Sequence, residues 1–279
     1  SHMKYSPEKE IVALSDACGR TVFEDIRSRY DVPAVRCSRW DGIVFSYDAY
    51  REIMDRETNA GDFSSWKEGA DYSYSNTGIP VSREEFDTMV MIEQTRFEDG
   101  CLREILPNDV EREQNIIFPG EKMAQGELLA SAGTYVTPAH LNIFAMGGVM
   151  TVPVKRKPRV AIIPTGDELV PGVLQPGPGQ TVESNSYSMA AKLKEWGAVP
   201  LLWPIQPDNP ELIQATLRSA AKEADLIVAG GGSGRGLRDY MQDNLSAAGR
   251  LYFSSVYHGP GKRTGFAVVD GTPVISLVG

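Results

Sequence analysis

Thr165, Gly166, Asp167 and Glu168 put a hydroxyl, a glycine and two adjacent carboxylates directly after the apolar run Val160-Ala-Ile-Ile163. Such a run reads as a buried strand, which places the four residues at its carboxyl end, where ligands bind in open α/β sheets. Carboxylate oxygens beside a hydroxyl suit a hydrated divalent cation or a polyhydroxylated ligand. The same four residues would equally make a polar strand-to-loop turn.

A second loop belongs beside the first. The apolar Leu226-Ile-Val228 runs into Gly230-Gly-Gly-Ser-Gly-Arg-Gly236 and then Leu-Arg-Asp239-Tyr240. Backbone N–H groups at Gly231 and Gly232, with the hydroxyl of Ser233, could hold an anion, and Arg235 and Arg238 add positive charge. No Gly-Lys-Ser/Thr follows, so this is no Walker loop. A dinucleotide fingerprint would sit after the first strand, not a later one. Asp239 could orient a ligand or help hold a metal, or simply sit at a helix N-terminus where the dipole favours it. Glu183-Ser-Asn185 reads as a helix cap, with Asn185 facing the same pocket. Lys262 and Arg263, after Gly259-Pro-Gly261, could contact phosphate or lie on a solvated hairpin. Ser38-Arg-Trp-Asp41-Gly42 and Asn76-Thr77-Gly-Ile-Pro80 are polar loops that composition alone would leave plain.

The elements that must position these residues change texture along the chain. Helical spacing covers Pro7 to Ile26, with Ile11, Val12, Leu14, Ala17 and Cys18 on one face and Gly19 as its stop. Tyr47 to Asp87 reads as short strands and loops. Thr88–Gln94 and Leu102–Leu106 read as strands around the Glu98-Asp-Gly100 turn. Glycines at 120, 126, 133 and 147–148 punctuate a β-rich stretch containing a short helix at His140–Met146 and a strand at Met150–Val154. Lys155-Arg-Lys-Pro158 reads as a linker. Beyond it come strand Val160–Ile163, helix Ser186–Trp196, strand Val199–Trp203, helix Pro210–Ala221 and strand Asp225–Ala229. A helix near Asp239–Ala248 and strands Leu251–Val256 and Pro273–Val278 close the series. That alternation predicts an α/β fold with a mostly parallel, three-layer sheet.

Bulk properties narrow the function. At 279 residues the chain has room for two or three domains. A net charge of −9 and pI near 5.0 argue against nucleic acid or an anionic membrane as partner. No apolar run approaches the ~20 residues that span a bilayer. Cys18, Cys37 and Cys101 form neither a metal pattern nor a disulfide framework, which points to a reducing cytoplasm. Ser1-His2-Met3 reads as an expression remnant, leaving His140 and His258 and little scope for a histidine-based site.

Taken in order, the segments resemble the MoeA-type molybdopterin molybdenumtransferases, whose eukaryotic counterpart is a domain of gephyrin. The resemblance rests on Ala17-Cys-Gly-Arg20, Asp31-Val-Pro33, Ser38-x-x-Asp41-Gly42, Thr77-Gly-Ile-Pro80, Val90-Met-Ile-Glu93, Gln114-Asn-Ile116, Gly120-Glu121, Arg159 to Val170, Glu183-Ser-Asn185, Asp239-Tyr240 and Pro260-Gly-Lys262. It implies a MogA-like α/β domain at 156–279 and elongated N-terminal β-rich domains. The latter would be a discontinuous one, 1–46 with 123–155, and an inserted one, 47–122. It implies insertion of molybdenum from molybdate into adenylylated molybdopterin, with Mg2+, in a homodimer that can meet a MogA-like adenylyltransferase. A non-catalytic molybdopterin- or molybdate-binding sensor of the same fold is the alternative. Carried over by position, Asp41, Thr77, Glu168, Asp239 and Lys262 fall on active-site positions, with Glu168 and Asp239 as metal ligands. Thr165, Gly166, Asp167, Asn185, Gly231, Gly232, Ser233 and Lys262 would contact the pterin-phosphate ligand.

The chain also departs from the family pattern. Asn115-Ile-Ile-Phe-Pro-Gly-Glu-Lys122 stands where Asn-Ile-Arg-Arg-x-Gly-Glu-Asp is usual, and Arg39, Trp40 and Ile43 alter the Ser-Ala-Met-Asp-Gly-Tyr stretch. Gly259 replaces a lysine, and the sequence ends at Leu277-Val-Gly279, so a divergent, C-terminally shortened member is expected.

Overall fold

A computed structural model describes residues 7–107, 109–231, 240–257, 259 and 262–277, with the backbone alone at Tyr240. The chain divides into two compact units, Ile11–Val154 and Ser1–Glu10 with Lys155–Gly279.

The unit 11–154 is built from short strands. β1 (Lys9–Ala13) replaces the predicted helix and is followed by a single 3-10 turn at Leu14–Asp16. β-branched Ile11 and Val12 favour the extended form. The Leu14 N–H donates to the Met150 carbonyl (2.9 Å) instead of continuing a helix. β2 (Ile26–Arg27), β3 (Cys37–Ser38) and β4 (Gly42–Phe45) follow. Helix α1 (Tyr47–Met54) lies where strands and loops were expected. Ser46 caps it through Ala49 N–H (3.4 Å), and it buries only Tyr50 and Ile53. Next come β5 (Tyr72–Ser75), β6 (Thr88–Met91), β7 (Thr95–Glu98), β8 (Cys101–Ile105), β9 (Ile116–Ile117) and β10 (Leu128–Ala130). Helix α2 (Pro138–Met146) and β11 (Thr151–Lys155) complete the series.

β4 is the centre of an antiparallel β5-β4-β6 sheet, while β3 pairs β9, β10 pairs β2 and β11 pairs β1. One core gathers Ile43, Phe45, Tyr50, Phe63, Leu102 and Ile105. Another gathers Ala17, Val22, Ile26, Val136, Phe144 and Val152 from the two ends of the segment.

The second unit contains β12 (Arg159–Thr165), β13 (Leu169–Val170), β14 (Thr181–Val182), α3 (Asn185–Glu195) and β15 (Val199–Leu202). After these come α4 (Pro210–Ala221), β16 (Leu226–Gly231), α5 (Tyr240–Ala248), β17 (Arg250–Phe253), β18 (Gly265–Val269) and β19 (Thr272–Leu277). Its six-stranded sheet has the order β15-β12-β16-β19-β18-β17. The first four strands are parallel, and β18 and β17 add antiparallel at one edge. β18 is absent from the sequence reading.

Residues of β12 alternate between two faces. Ala161 and Ile163 join Ile213, Leu217 and Leu245 of α4 and α5. Val160 and Ile162 join Ala190 and Leu193 of α3. Both faces of the sheet are therefore covered, which is why β12 reads as a continuous apolar run.

Lys155–Pro158 is more than a linker. Arg156 donates to both carboxylate oxygens of Asp225 (2.9 and 2.8 Å), and Arg159 N–H donates to the same carboxylate (2.7 Å). Burial pushes the Asp225 carboxyl up, but the Arg156 and Arg159 hydrogen bonds outweigh it and hold it below the ordinary range. A depressed carboxyl stabilises the fold above its unfolded value of about 3.9 and loses that contribution as pH falls through the folded one. Asp225→Asn is thus expected to cost about 1.5–3 kcal/mol at neutral pH. In denaturant melts across pH, its deficit against wild type should shrink below about pH 4; a pH-independent deficit would contradict the pairing.

Candidate functional site

The strand order sets where a cavity can form. α3 follows β12 and packs on one face, whereas α5 follows β16 and packs on the other. The chain therefore diverges between neighbouring strands β12 and β16, and their carboxyl ends border a crevice. Thr165 stands opposite Gly231 in the register there. The Thr165 hydroxyl is buried and donates to the Gly230 carbonyl (3.3 Å), so it ties the two strand ends together instead of lining the crevice.

Gly166 has φ +146°, and a Cβ on it would come within 2.6 Å of a Glu168 carboxylate oxygen. The glycine thus lets the Glu168 side chain fold back across the turn. Leu169 N–H closes that turn on the Gly166 carbonyl (3.2 Å), and Thr181 N–H takes the Glu168 carbonyl (2.7 Å). Glu168, Asn185, Met189, Gly230 and Gly231 line a cavity of about 640 Å³. That volume lies within the usual range of small-molecule sites.

Asp167 turns the other way. Its Oδ1 accepts from Asp208 N–H (3.0 Å), and it lines a second cavity of about 580 Å³ with Gly166, Glu183, Tyr187 and Trp203. Burial pushes the Asp208 carboxyl up; a hydrogen bond from the Asp167 backbone offsets part of this, and the Asp167 and Glu168 charges add to the rise. The Asp167 and Glu168 carboxylates thus both act on Asp208, with burial the larger cause of its rise. Ser184 makes no side-chain cap to α3; Glu183 does so, accepting from Ser186 N–H (2.8 Å).

In the unit 11–154 the structure joins two residues that lie 36 apart. β4 pairs with β5 so that Gly42 faces Ser75. The Ser38 and Ser75 hydroxyls hydrogen-bond at 2.5 Å, and Gly78 N–H takes the Ser38 carbonyl (2.8 Å). Asp41 Oδ1 then accepts from both the backbone N–H (2.7 Å) and the hydroxyl (2.9 Å) of Thr77. Those two bonds, the backbone one first, hold the Asp41 carboxyl below its ordinary range. Arg39 beside it pairs with Glu121.

Asp41 with Thr77 and Glu168 with Asn185 and Gly231 form two local clusters, one in each unit. Lys262 is exposed and lines neither cavity. Gly232, Ser233 and Asp239, with Arg235 and Arg238, lie outside the described residues. Sequence reasoning missed Asp208 and Trp203. A signal existed for Trp203, because it directly follows a parallel strand and so reaches the ligand-binding end of the sheet.

Comparison with known proteins agrees with this layout. Residues 1–148 match the family described as "MoeA N-terminal region (domain I and II)", and residues 161–279 match "Probable molybdopterin binding domain". The chain is 31% identical to a molybdopterin molybdenumtransferase of Nostoc sp., over 98% of the chain and 64% of that protein. It is 32% identical to the Bacillus subtilis molybdopterin molybdenumtransferase, over 100% of the chain and 67% of the relative. It thus spans about two thirds of the length of these curated relatives. A crystal structure of the molybdopterin biosynthesis MoeA protein from Pyrococcus horikoshii superposes with a TM-score of 0.79 at 25% identity, covering 99% of the chain and 71% of that protein. With both regions matched in order along nearly its whole length, the chain belongs to the MoeA family.

Proposed function

We propose that this chain inserts molybdenum from molybdate into adenylylated molybdopterin and releases AMP. The observation that carries this reading is the position of Glu168, at the carboxyl ends of β12 and β16 on the wall of the 640 Å³ cavity. The cavity lies in the region matching the molybdopterin binding domain.

The donor set suits Mg2+, which binds hard oxygen and needs only one or two carboxylates beside phosphates and water. The Asp167 and Glu168 carboxylates, whose charges add to the burial that raises the Asp208 carboxyl, would gain from a cation. Among the described residues no three His, Cys, Asp or Glu side chains converge on one point, so protein alone would not encage it. Glu168 would hold the ion, with Asp239 as second ligand. Bound there, it would polarise the phosphoanhydride that breaks when AMP leaves. Backbone N–H groups of Gly231 and Gly232, the Ser233 hydroxyl and the Asn185 amide would hold the phosphates, and Lys262 is assigned to phosphate as well. Asp167 and Gly166 shape the neighbouring wall.

Asp41 is kept ionised by Thr77, whose hydroxyl proton is already committed to it. We therefore assign Thr77 to positioning Asp41, and Asp41 to contacting the incoming metal centre or a ligand hydroxyl. We further propose a cytoplasmic homodimer, receiving its ligand from a MogA-like adenylyltransferase. Residues 11–154 would comprise a discontinuous domain and an inserted one around 47–122.

The test is AMP release from adenylylated molybdopterin by this chain with Mg2+, with and without molybdate. Molybdate-dependent release is expected; none at all would sink the proposal. Binding without turnover is the second reading. It is favoured by the Arg39–Glu121 pair, which neutralises the cation next to Asp41, and by the lack of arginine in residues 115–122.

A further inference from the structure

We propose that Arg39 captures molybdate, and that Glu121 is an internal anion that holds its place until the oxyanion arrives. This deepens the reading above and rests on it for the identity of the anion. Every group involved belongs to the unit 11–154.

Strand pairing places the cation. β3 pairs with β9 so that Cys37 stands opposite Ile117 and Ser38 opposite Ile116. Arg39 N–H carries the pairing on to the Asn115 carbonyl (2.9 Å). Residues 115–122 contain no arginine, so Arg39 supplies a guanidinium from across the pair. Beyond β9 the chain turns over Phe118–Glu121, where Glu121 N–H donates to the Phe118 carbonyl (3.1 Å). One oxygen of the Glu121 carboxylate accepts from the Arg39 guanidinium, and the other accepts from Phe118 N–H (3.0 Å). A guanidinium and a backbone N–H converging on one anion are what an oxyanion site requires. Here the protein's own carboxylate fills it.

Three observations make that filling reversible. First, the Arg39 and Glu121 side chains are 41% and 38% exposed, and ion pairs so open to water hold weakly. Second, the guanidinium is not used up. Among the described residues Glu121 is its one acceptor, and the planar fork can present two parallel N–H groups to a tetrahedral oxyanion. Third, the local charge is unbalanced. The Arg39 hydrogen bond, and then that of Phe118 N–H, hold the Glu121 carboxyl below its ordinary range, and the charge of exposed Lys122 adds to them. Two cations thus act on one carboxylate, and a dianion balances them where a monoanion does not. Asp31, packed on Gly120, accepts from Gln125 N–H (2.8 Å), and Asp41 accepts from Thr77, so both carboxylates have donors of their own. The captured anion is held two residues before Asp41, the group assigned to the incoming metal centre.

The test is calorimetric titration of the chain with sodium molybdate, at an ionic strength fixed with chloride. Arg39→Ala should weaken molybdate binding about 10-fold or more, the scale of a lost charge-assisted pair. Glu121→Gln keeps an oxygen for Phe118 N–H and removes the competing charge. It should bind molybdate about 3-fold or more tightly than wild type, with an unchanged thermal melt. A purely structural ion pair would tighten nothing when broken. Equal molybdate affinity in wild type and Arg39→Ala would overturn the inference. So would unchanged or weaker binding in Glu121→Gln, or no binding by either wild type or Glu121→Gln. Those results leave molybdate-dependent AMP release to be judged by its own assay. Absence of AMP release alongside the stated affinities would instead count against the proposed function alone.

Discussion

Gly231→Ala is expected to pry apart the carboxyl ends of β12 and β16 and to unmake the cavity between them. A Cβ at this position would stand 1.8 Å from the Thr165 carbonyl oxygen, and the backbone sits at φ +115°, where a side chain is strained. Strain of that kind costs roughly 1–3 kcal/mol. Forcing an atom into a packed strand pair costs a comparable amount. The obstacle is backbone, so no side chain can swing away. Thermal denaturation should show a fall of roughly 5–10 °C. Gly230→Ala supplies the control, because a Cβ there meets nothing within 4 Å and its φ is unconstrained. It should melt within about 0.5 kcal/mol of wild type. Equal behaviour of the two variants would show that the strand ends do not pack as described.

Glu168→Gln is expected to lower molybdate-dependent AMP release by about 10²-fold or more, on the scale seen when a single electrostatic stabiliser is removed. The fold should be untouched, since the side chain lies half-buried on a cavity wall. Gly166→Ala offers a second route to the same effect. Its Cβ would displace the Glu168 carboxylate, whose oxygens lie 2.6 and 2.8 Å from that position. The positive φ of Gly166 adds backbone strain here too, but a flexible side-chain tip can move where the Thr165 carbonyl cannot, so the melt should suffer less than in Gly231→Ala while release falls. If Glu168→Gln releases AMP at the wild-type rate, the carboxylate has no part in the reaction.

The second unit was largely legible because its signals are local. Asn209 caps α4 through Leu212 N–H (3.1 Å), Pro210 opens it, and Ile213, Leu217 and Ala220 form its buried stripe. Those features gave the helix its observed bounds. β18 escaped notice although Asp270-Gly271 marks its hairpin, with φ +49° and +87°. The same turn chemistry at Asp99-Gly100 was recognised. In the unit 11–154 the signals are weaker. α1 is short and buries two residues only, so its stripe spans barely two turns among polar neighbours, and the segment after Pro7 has helical spacing overridden by pairing with β11.

The sites show the same contrast. Glu168 could be found because a buried strand feeds directly into it. The bond between Asp41 and Thr77 depends on the pairing of β4 with β5, which spacing does not reveal. Trp203 reaches the second cavity through the Thr165–Gln206 bridge, again a contact between distant segments.

The most direct measurement is a crystal structure of the chain with adenylylated molybdopterin and Mg2+. The phosphates are predicted at the carboxyl ends of β12 and β16, between Glu168 and the Gly230–Gly231 backbone. Clear ligand density elsewhere, with both strand-end cavities empty, would contradict the account.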